Sequence, residues 1–224
     1  MNGILIIDKP SGVTSHDVVY KIRKITGCKV GHGGTLDPLA TGVLPILVGD
    51  ATKSAQEVLL GDKEYLTMIK FGETTDTDDK DGKVLELKPV PDDLEARLKG
   101  ALPQFRGIIS QIPPRYSAIK HKGQPLYKLA RKGVDFEPQA RQVEIKGLEV
   151  RDVSPPFATL YVKCSKGLYI RALARDIGKA IACAAHVYSL KRVVCGSFHI
   201  GDAHCLEKIN SLQDVTRMLH APVL

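Results

Sequence analysis

The chain has 224 residues, 43% of them hydrophobic, and carries 32 Lys and Arg against 25 Asp and Glu, a formal charge of +7. That composition supports one globular domain with a real core and excludes a disordered or collagen-like chain. The longest apolar run, Gly42–Gly49, is far too short to cross a membrane, and the N-terminus carries Asp8 early with no basic leader, so no membrane partner and a cytoplasmic location are expected.

Taken in chain order, Gly3–Asp8 reads as a short buried strand. Thr14–Gly27 reads as a helix, with Thr14 and Asp17 as a capping box, Val18, Ile22 and Ile25 on one face, and Gly27 as the stop. The turn Gly31–Pro45 then holds a single carboxylate, Asp37, among glycines, with His32 its only other titratable side chain, and runs into a strand over Val43–Gly49. Ala51–Gly61 looks helical. Lys63–Phe71, apolar on both alternating faces around Tyr65, Ile69 and Phe71, suggests a central strand.

Glu73–Lys83 is an acidic turn with a superficial likeness to a calcium loop. Lys80 and Asp81 stand where a ligand and the required glycine belong, so a solvated hairpin turn is expected instead. Pro91–Ala101 is a short helix with its acids at the dipole-favoured end. Gln111–Gly133 mixes prolines, bases and two tyrosines and reads as an excursion from the core. Arg141–Val150 and Phe157–Ser165 read as strands, Tyr169–Ala185 as a helix, Ser189–Gly201 as a further strand, and Ser211 with Asp214 caps a short last helix. Strands and helices interleave without a βαβ rhythm, so the expected fold class is α+β, a mixed sheet with helices against it in one domain.

Charge is concentrated. Between Pro113 and Arg141 stand Arg115, Lys120, Lys122, Lys128, Arg131, Lys132 and Arg141, opposed only by Asp135 and Glu137, so this segment supplies +5 of the net charge. Such an element suits either a polyanion such as nucleic acid or a plain solvated surface. The five cysteines are odd in number with no Cys-x-x-Cys, which fits reduced thiols. Cys183, His186, Cys195, His199, His204 and Cys205 are all zinc-competent, but their spacing matches no compact zinc module, and no metal is expected.

Asp37 admits several readings. Its glycines could cradle a phosphate, yet neither Gly-Lys-Ser/Thr nor Gly-x-Gly-x-x-Gly is present, and Asp before Pro can simply set a turn. A carboxylate acting as nucleophile or base needs a cation and a pocket that excludes water. Arg171, Tyr169 and Tyr65 are the candidates to supply them.

These stretches together resemble the TruB family of tRNA pseudouridine synthases. Asp8–Ser15 (DKPSGVTS) is similar to the family's opening motif, Gly31–Gly49 to its catalytic motif, and Lys63–Gly82 to the motif with the active-site tyrosine. Gln111–Gly133 resembles the RNA-gripping insertion, the thumb, and Ser165–Gly178 and Ala185–Arg192 resemble the last two motifs. The resemblance implies a stand-alone enzyme of the pseudouridine synthase fold, with a central mixed, mainly antiparallel sheet flanked by helices and loops. It would isomerise the uridine at position 55 in the T-arm loop of tRNA, working as a monomer without cofactor or metal.

By motif position Asp37 is the family's acid, attacking C1′ or removing a ribose proton, with Arg171 as its partner. The resemblance further implies that Tyr65 would stack on the target base and assist late proton removal from C5, that Tyr169 and Leu190 would line the pocket, that His32 would fill the gap left by the flipped base, and that Lys9, beside Pro10, would pack next to the catalytic loop. The seven basic residues of the thumb-like insertion would meet the RNA backbone. Two departures stand out. Gly33 occupies a family threonine position, removing a hydroxyl beside the loop, and no complete C-terminal accessory RNA-binding domain is expected. The alternatives are a guide-RNA-dependent, dyskerin-type synthase and a non-catalytic RNA-binding or tRNA-folding protein of the same fold.

Overall fold

The computed structural model describes residues 1–55, 60–117, 119–121, 123–134, 136 and 138–221; the side chains of Lys120, His121, Pro125, Tyr127 and Arg131 lie outside the described set. The strands are β1 Gly3–Lys9, β2 Val30–His32, β3 Thr41–Val48, β4 Lys63–Phe71, β5 Glu73–Thr75, β6 Val84–Leu87 and β7 Gly107–Gln111. They continue with β8 Lys120–His121, β9 Gln124–Pro125, β10 Arg141–Ser154, β11 Phe157–Cys164, β12 Ala185–Cys195, β13 Phe198–His199 and β14 His204–Cys205. The chain divides into two compact units, Met1–Leu66 with Leu190–Leu224, and Thr67–Ser189.

In the first unit β1 lies antiparallel to β3 along its full length, from Gly3↔Val48 to Lys9↔Gly42. The short β14 runs parallel to β1, and the last part of β12 runs parallel to β3 through Lys191↔Thr41 and Arg192↔Gly42. β2 flanks the other end of β3, from Val30↔Val48 to His32↔Ile46. Pro45 sits inside β3. Its carbonyl accepts from Gly33 N at 2.8 Å, so its missing amide faces the same side, away from β1, and the β1–β3 ladder is not interrupted. Ile4, Ile6, Val43, Leu47, Cys195 and Phe198 form a buried cluster in this unit.

The helix Ser15–Thr26 begins at the expected capping box: Asp17 N donates to Thr14 Oγ1 at 3.1 Å, and Thr14 N to Asp17 Oδ2 at 2.8 Å. Gly27 ends it in the left-handed region, φ 66°. Val18 and Ile22 are fully buried. The tail repeats the device, with Ser211 and Asp214 capping Leu212–Met218.

In the second unit β11, β10 and β7 follow one another antiparallel, with shifts of register in β10 near Gly147 and Asp152. The helices Leu94–Ala101 and Ile170–Ala180 pack against each other, burying Leu94, Leu98, Leu173 and Ile177. Both units are therefore α+β with antiparallel pairing prominent, and β1 with β14 and β3 with β12 pair parallel.

Three readings are corrected. β4 buries Lys63, Tyr65, Thr67, Ile69 and Phe71 on one face, while the other face is half-buried or exposed, so it is not apolar on both. The helix begun at Ile170 ends at Ala180 rather than Ala185. Ala182 turns the chain at φ 56° and β12 starts at Ala185, four residues before the expected strand. Cys183 thus lies past the helix, in the bend before β12. The third concerns the acidic turn, described below. The expected helix Ala51–Gly61 opens with a short 3₁₀ turn, Gly49–Ser54; Ala55 and Leu60 are helical, and its centre, residues 56–59, lies outside the described residues.

Candidate active site

Asp37 stands half-buried in the loop between β2 and β3. It opens a tight turn in which Ala40 N donates to Asp37 O at 3.0 Å. The rest of the loop is fixed by groups the sequence places far away. Ser15 Oγ, at the start of the first helix, donates to Leu36 O (3.0 Å) and accepts from Leu36 N (2.8 Å). Ser11 Oγ donates to Leu39 O at 3.1 Å, and Gly12 N to Pro38 O at 2.9 Å.

Two buried cations hold the main chain on either side of the carboxylate. Lys9, at the end of β1, is fully buried, and its ammonium donates to the carbonyls of Pro10 (2.9 Å), Val13 (2.7 Å) and Pro38 (3.3 Å). Burial lowers its pKa to about 8, and the charges of Asp37 and Asp17 oppose that shift. Arg192, in β12 and 2% exposed, donates from Nε to Val43 O at 2.8 Å and from Nη2 to Gly34 O at 3.0 Å, with Nη1 at 3.5 Å from Thr35 O. Hydrogen bonds to charged groups contribute about 1.5–3 kcal/mol each, and a buried cation stripped of them would not be tolerated. The loop that presents Asp37 is therefore rigid before any ligand arrives.

His32 ends β2, half-buried, and its Nδ1 has no hydrogen-bond partner among the described residues. Burial, then Arg192, then His16 lower its pKa, so the ring is neutral at pH 7. Tyr65 is buried in β4 and Leu190 in β12. Lys9, His32, Asp37, Tyr65, Leu190 and Arg192 all belong to the first unit. Gly33 donates its amide to Pro45 O and accepts weakly from Cys195 Sγ at 3.6 Å, so the departure from threonine falls where the backbone is bonded on both sides.

The second unit holds Tyr169 and Arg171. Arg171, in the first turn of the helix Ile170–Ala180, is 4% exposed; Nη1 donates to Thr77 O and Nη2 to Tyr116 O, both at 2.9 Å, with Asp79 Oδ2 at 3.7 Å. One turn later Arg175 donates to Asp78 Oδ2 (3.0 Å) and to Ile112 O (2.8 Å). The acidic turn between β5 and β6 is thus a hairpin, but not a solvated one. Asp79 is 7% exposed, burial raises the Asp78 pKa, and two arginines of one helix face draw the turn inward.

Of the basic segment, Arg115, Lys128, Lys132 and Arg141 are exposed. Arg115 also lies over the Phe136 ring, 5.0 Å from its centroid. Lys122 lies outside the described residues, as do the side chains of Lys120 and Arg131. Sequence reasoning missed Arg192 and Arg175 as organising groups. A charged residue in a strand or on a helix carries no mark of the carbonyls it will meet in the fold.

A profile described as the TruB family pseudouridylate synthase N-terminal domain matches residues 21–170, and one described as the tRNA pseudouridylate synthase B C-terminal domain matches residues 171–221. The fold and these matches define a pseudouridylate synthase: the chain belongs to the TruB family. Among curated relatives it is 45% identical to the tRNA pseudouridine synthase B of Dechloromonas aromatica (strain RCB), over 97% of this chain and 73% of that protein. It is 48% identical to the protein of the same name in Pseudomonas aeruginosa (strain UCBPP-PA14), over 93% of this chain and 69% of that one. Among solved structures, a Cbf5–Nop10–Gar1 complex aligns with TM-score 0.69 at 30% identity; 92% of this chain is covered but only 52% of the solved chain, about half its length.

Proposed function

We propose that this chain is a tRNA pseudouridine synthase that converts the uridine at position 55, in the T-arm loop, to pseudouridine. The observation that carries the reading is identity of 45% to a curated synthase across 97% of the chain. The geometry supports it, because an Asp-dependent isomerase needs its carboxylate on a preorganised loop, and Asp37 sits on one braced by Lys9 and Arg192.

The target nucleotide is flipped from the RNA stack, at a cost of roughly a few kcal/mol, offset by stacking on Tyr65 and packing against Leu190; the part of Tyr169, in the other unit, is carried by the family motifs alone. Asp37 attacks C1′ or takes a ribose proton, and the N1–C1′ bond breaks. The uracil turns, C5 bonds to C1′, the C5 proton leaves with help from Tyr65, and N1 ends protonated, so the product is an isomer of the substrate. Lys9 and Arg192 support the loop, and His32, neutral, fills the space the base vacates. Asp37 and Arg171 belong to different units, and their pairing is carried by the family motifs alone. The exposed bases Arg115, Lys128, Lys132 and Arg141 approach RNA phosphates, with Lys120, Lys122 and Arg131 in the same segment. The enzyme acts alone, as a cytoplasmic monomer in one catalytic domain.

The test is direct. Purified protein is incubated with unmodified tRNA and with a bare T-arm hairpin, without any guide RNA, and pseudouridine is mapped. Product at the T-loop uridine of both RNAs is expected, and Asp37→Asn abolishes it while RNA affinity stays within a few-fold. Absence of product from the wild type on either RNA overturns the reading. Product that appears only with an added guide RNA favours the dyskerin-type alternative.

A further inference from the structure

Tyr169 is the N-cap of the helix Ile170–Ala180, which carries Arg171 in its first turn, and its side chain makes no capping hydrogen bond among the described residues. The start of the helix is held instead by Gln111, the last residue of β7 and 58 positions earlier in the chain. The Gln111 side-chain oxygen accepts from Tyr169 N at 2.9 Å, and its side-chain nitrogen donates to Tyr169 O at 3.2 Å. That carbonyl also accepts from Leu173 N at 3.0 Å, the first turn of the helix. Gln111 is 2% exposed, so water does not compete for either bond.

Two further ties join the beginning of the basic segment to the same helix. Ile112 O accepts from Arg175 at 2.8 Å, and Tyr116 O from Arg171 at 2.9 Å. Both use main-chain carbonyls, which any residue at 112 or 116 supplies. Only at 111 does the identity of the side chain matter. A two-point match to one residue's N–H and C=O needs a neutral group with a donor and an acceptor side by side, which is a carboxamide; an ionised carboxylate only accepts, and Lys or Arg only donates.

We infer that Gln111 is a positioning residue for the synthase reaction: its carboxamide sets where the helix begins, and with it where Tyr169 and Arg171 stand, without touching the RNA. This rests on the proposed function, in which Tyr169 lines the pocket and Arg171 serves the acid. Affinity for RNA belongs to the exposed cations further along the segment. Loss of the two-point tie therefore acts on turnover rather than on binding.

The test measures kcat and KM on the T-arm hairpin at a temperature where thermal unfolding shows each protein fully folded. Gln111→Met keeps the length and suits a buried site but makes neither bond; kcat is expected to fall about tenfold with KM within about threefold of wild type. Gln111→Glu keeps the acceptor and loses the donor while ionised. A buried carboxylate facing a carbonyl oxygen has a raised pKa, and its protonated form donates again, so the kcat deficit of Gln111→Glu is expected to narrow from about pH 8 to about pH 5.5. A kcat for Gln111→Met within about twofold of wild type shows a role in stability alone and overturns the inference. A raised KM with unchanged kcat places Gln111 in RNA binding and overturns it too. A Gln111→Glu deficit that stays constant over that pH range also overturns it, and this arm stands even if Gln111→Met does not fold. Wild-type turnover measured in parallel separates the two claims: an inactive wild type fails the enzymatic reading itself, whereas an active wild type with indifferent Gln111 variants fails only this one.

Discussion

Asp37 is legible in the sequence because a solitary carboxylate among glycines fits neither a core nor an ordinary surface loop. What surrounds it is less legible. Lys9 follows from its place in the opening motif, but its three carbonyl partners do not, and Arg192 reads as one more charge in a strand. His32 offers a prediction at this scale. Burial holds its pKa below the ordinary histidine value, so between that value and its folded pKa the unfolded chain binds more protons than the native one. Stability therefore falls as pH drops through about 6.5, by at most about 1.4 kcal/mol per pH unit for one proton. In His32→Gln the loss of thermal midpoint between about pH 7.5 and about pH 5.5 is expected to be smaller than in wild type. His204, shifted the same way by burial and by His220, stays as background in both. An identical pH profile for the two proteins counts against a neutral, buried His32.

Elements were read most accurately where a few neighbouring residues decide them. Both capping boxes, the glycine stop at Gly27 and the strands β1 and β3 follow from local chemistry. The errors came where a partner outside the window intervened. The run Tyr169–Ala185 is helical in composition throughout, but its last residues turn so that β12 can enter a sheet. Gly42 shows the same dependence. It has φ 98°, and a Cβ there would overlap the Arg192 carbonyl oxygen of the parallel strand. Gly42→Ala therefore both strains the backbone and separates β3 from the strand that carries the loop-bracing guanidinium. A loss of about 3 kcal/mol or more is expected in denaturant unfolding, with the activity of the folded fraction also reduced. A loss below about 1 kcal/mol would show that the two strands part without cost.

For the whole molecule, the uneven charge is the feature that composition alone brings out. The described bases of the segment from Arg115 to Arg141 are exposed, which suits a phosphate grip. Each phosphate contact contributes about 0.7–0.9 to the slope of log affinity against log salt. Replacing Lys128, Lys132 and Arg141 together with Ala is expected to weaken tRNA binding and flatten that slope by about 2, as measured by filter binding over a salt series. An unchanged slope removes these three from the interface. The acidic turn shows the limit of such reasoning: its run of aspartates reads as solvated, yet Arg171 and Arg175 bury two of them, because charges opposite in sign and close in space need not be close in sequence.

By itself the sequence determined the capped helices, several of the long strands, the candidate acid and the family, since each is written in contiguous residues whose caps, periodicity and motif order need no distant partner. Only the tertiary structure decided how the loop of Asp37 is braced and which arginines are buried. Those outcomes turn on burial. A charge or a hydroxyl acquires its cost only when the fold removes water from it, and its partner only when the fold brings a carbonyl from far along the chain, as with Arg192 and Gly34 or Arg171 and Tyr116.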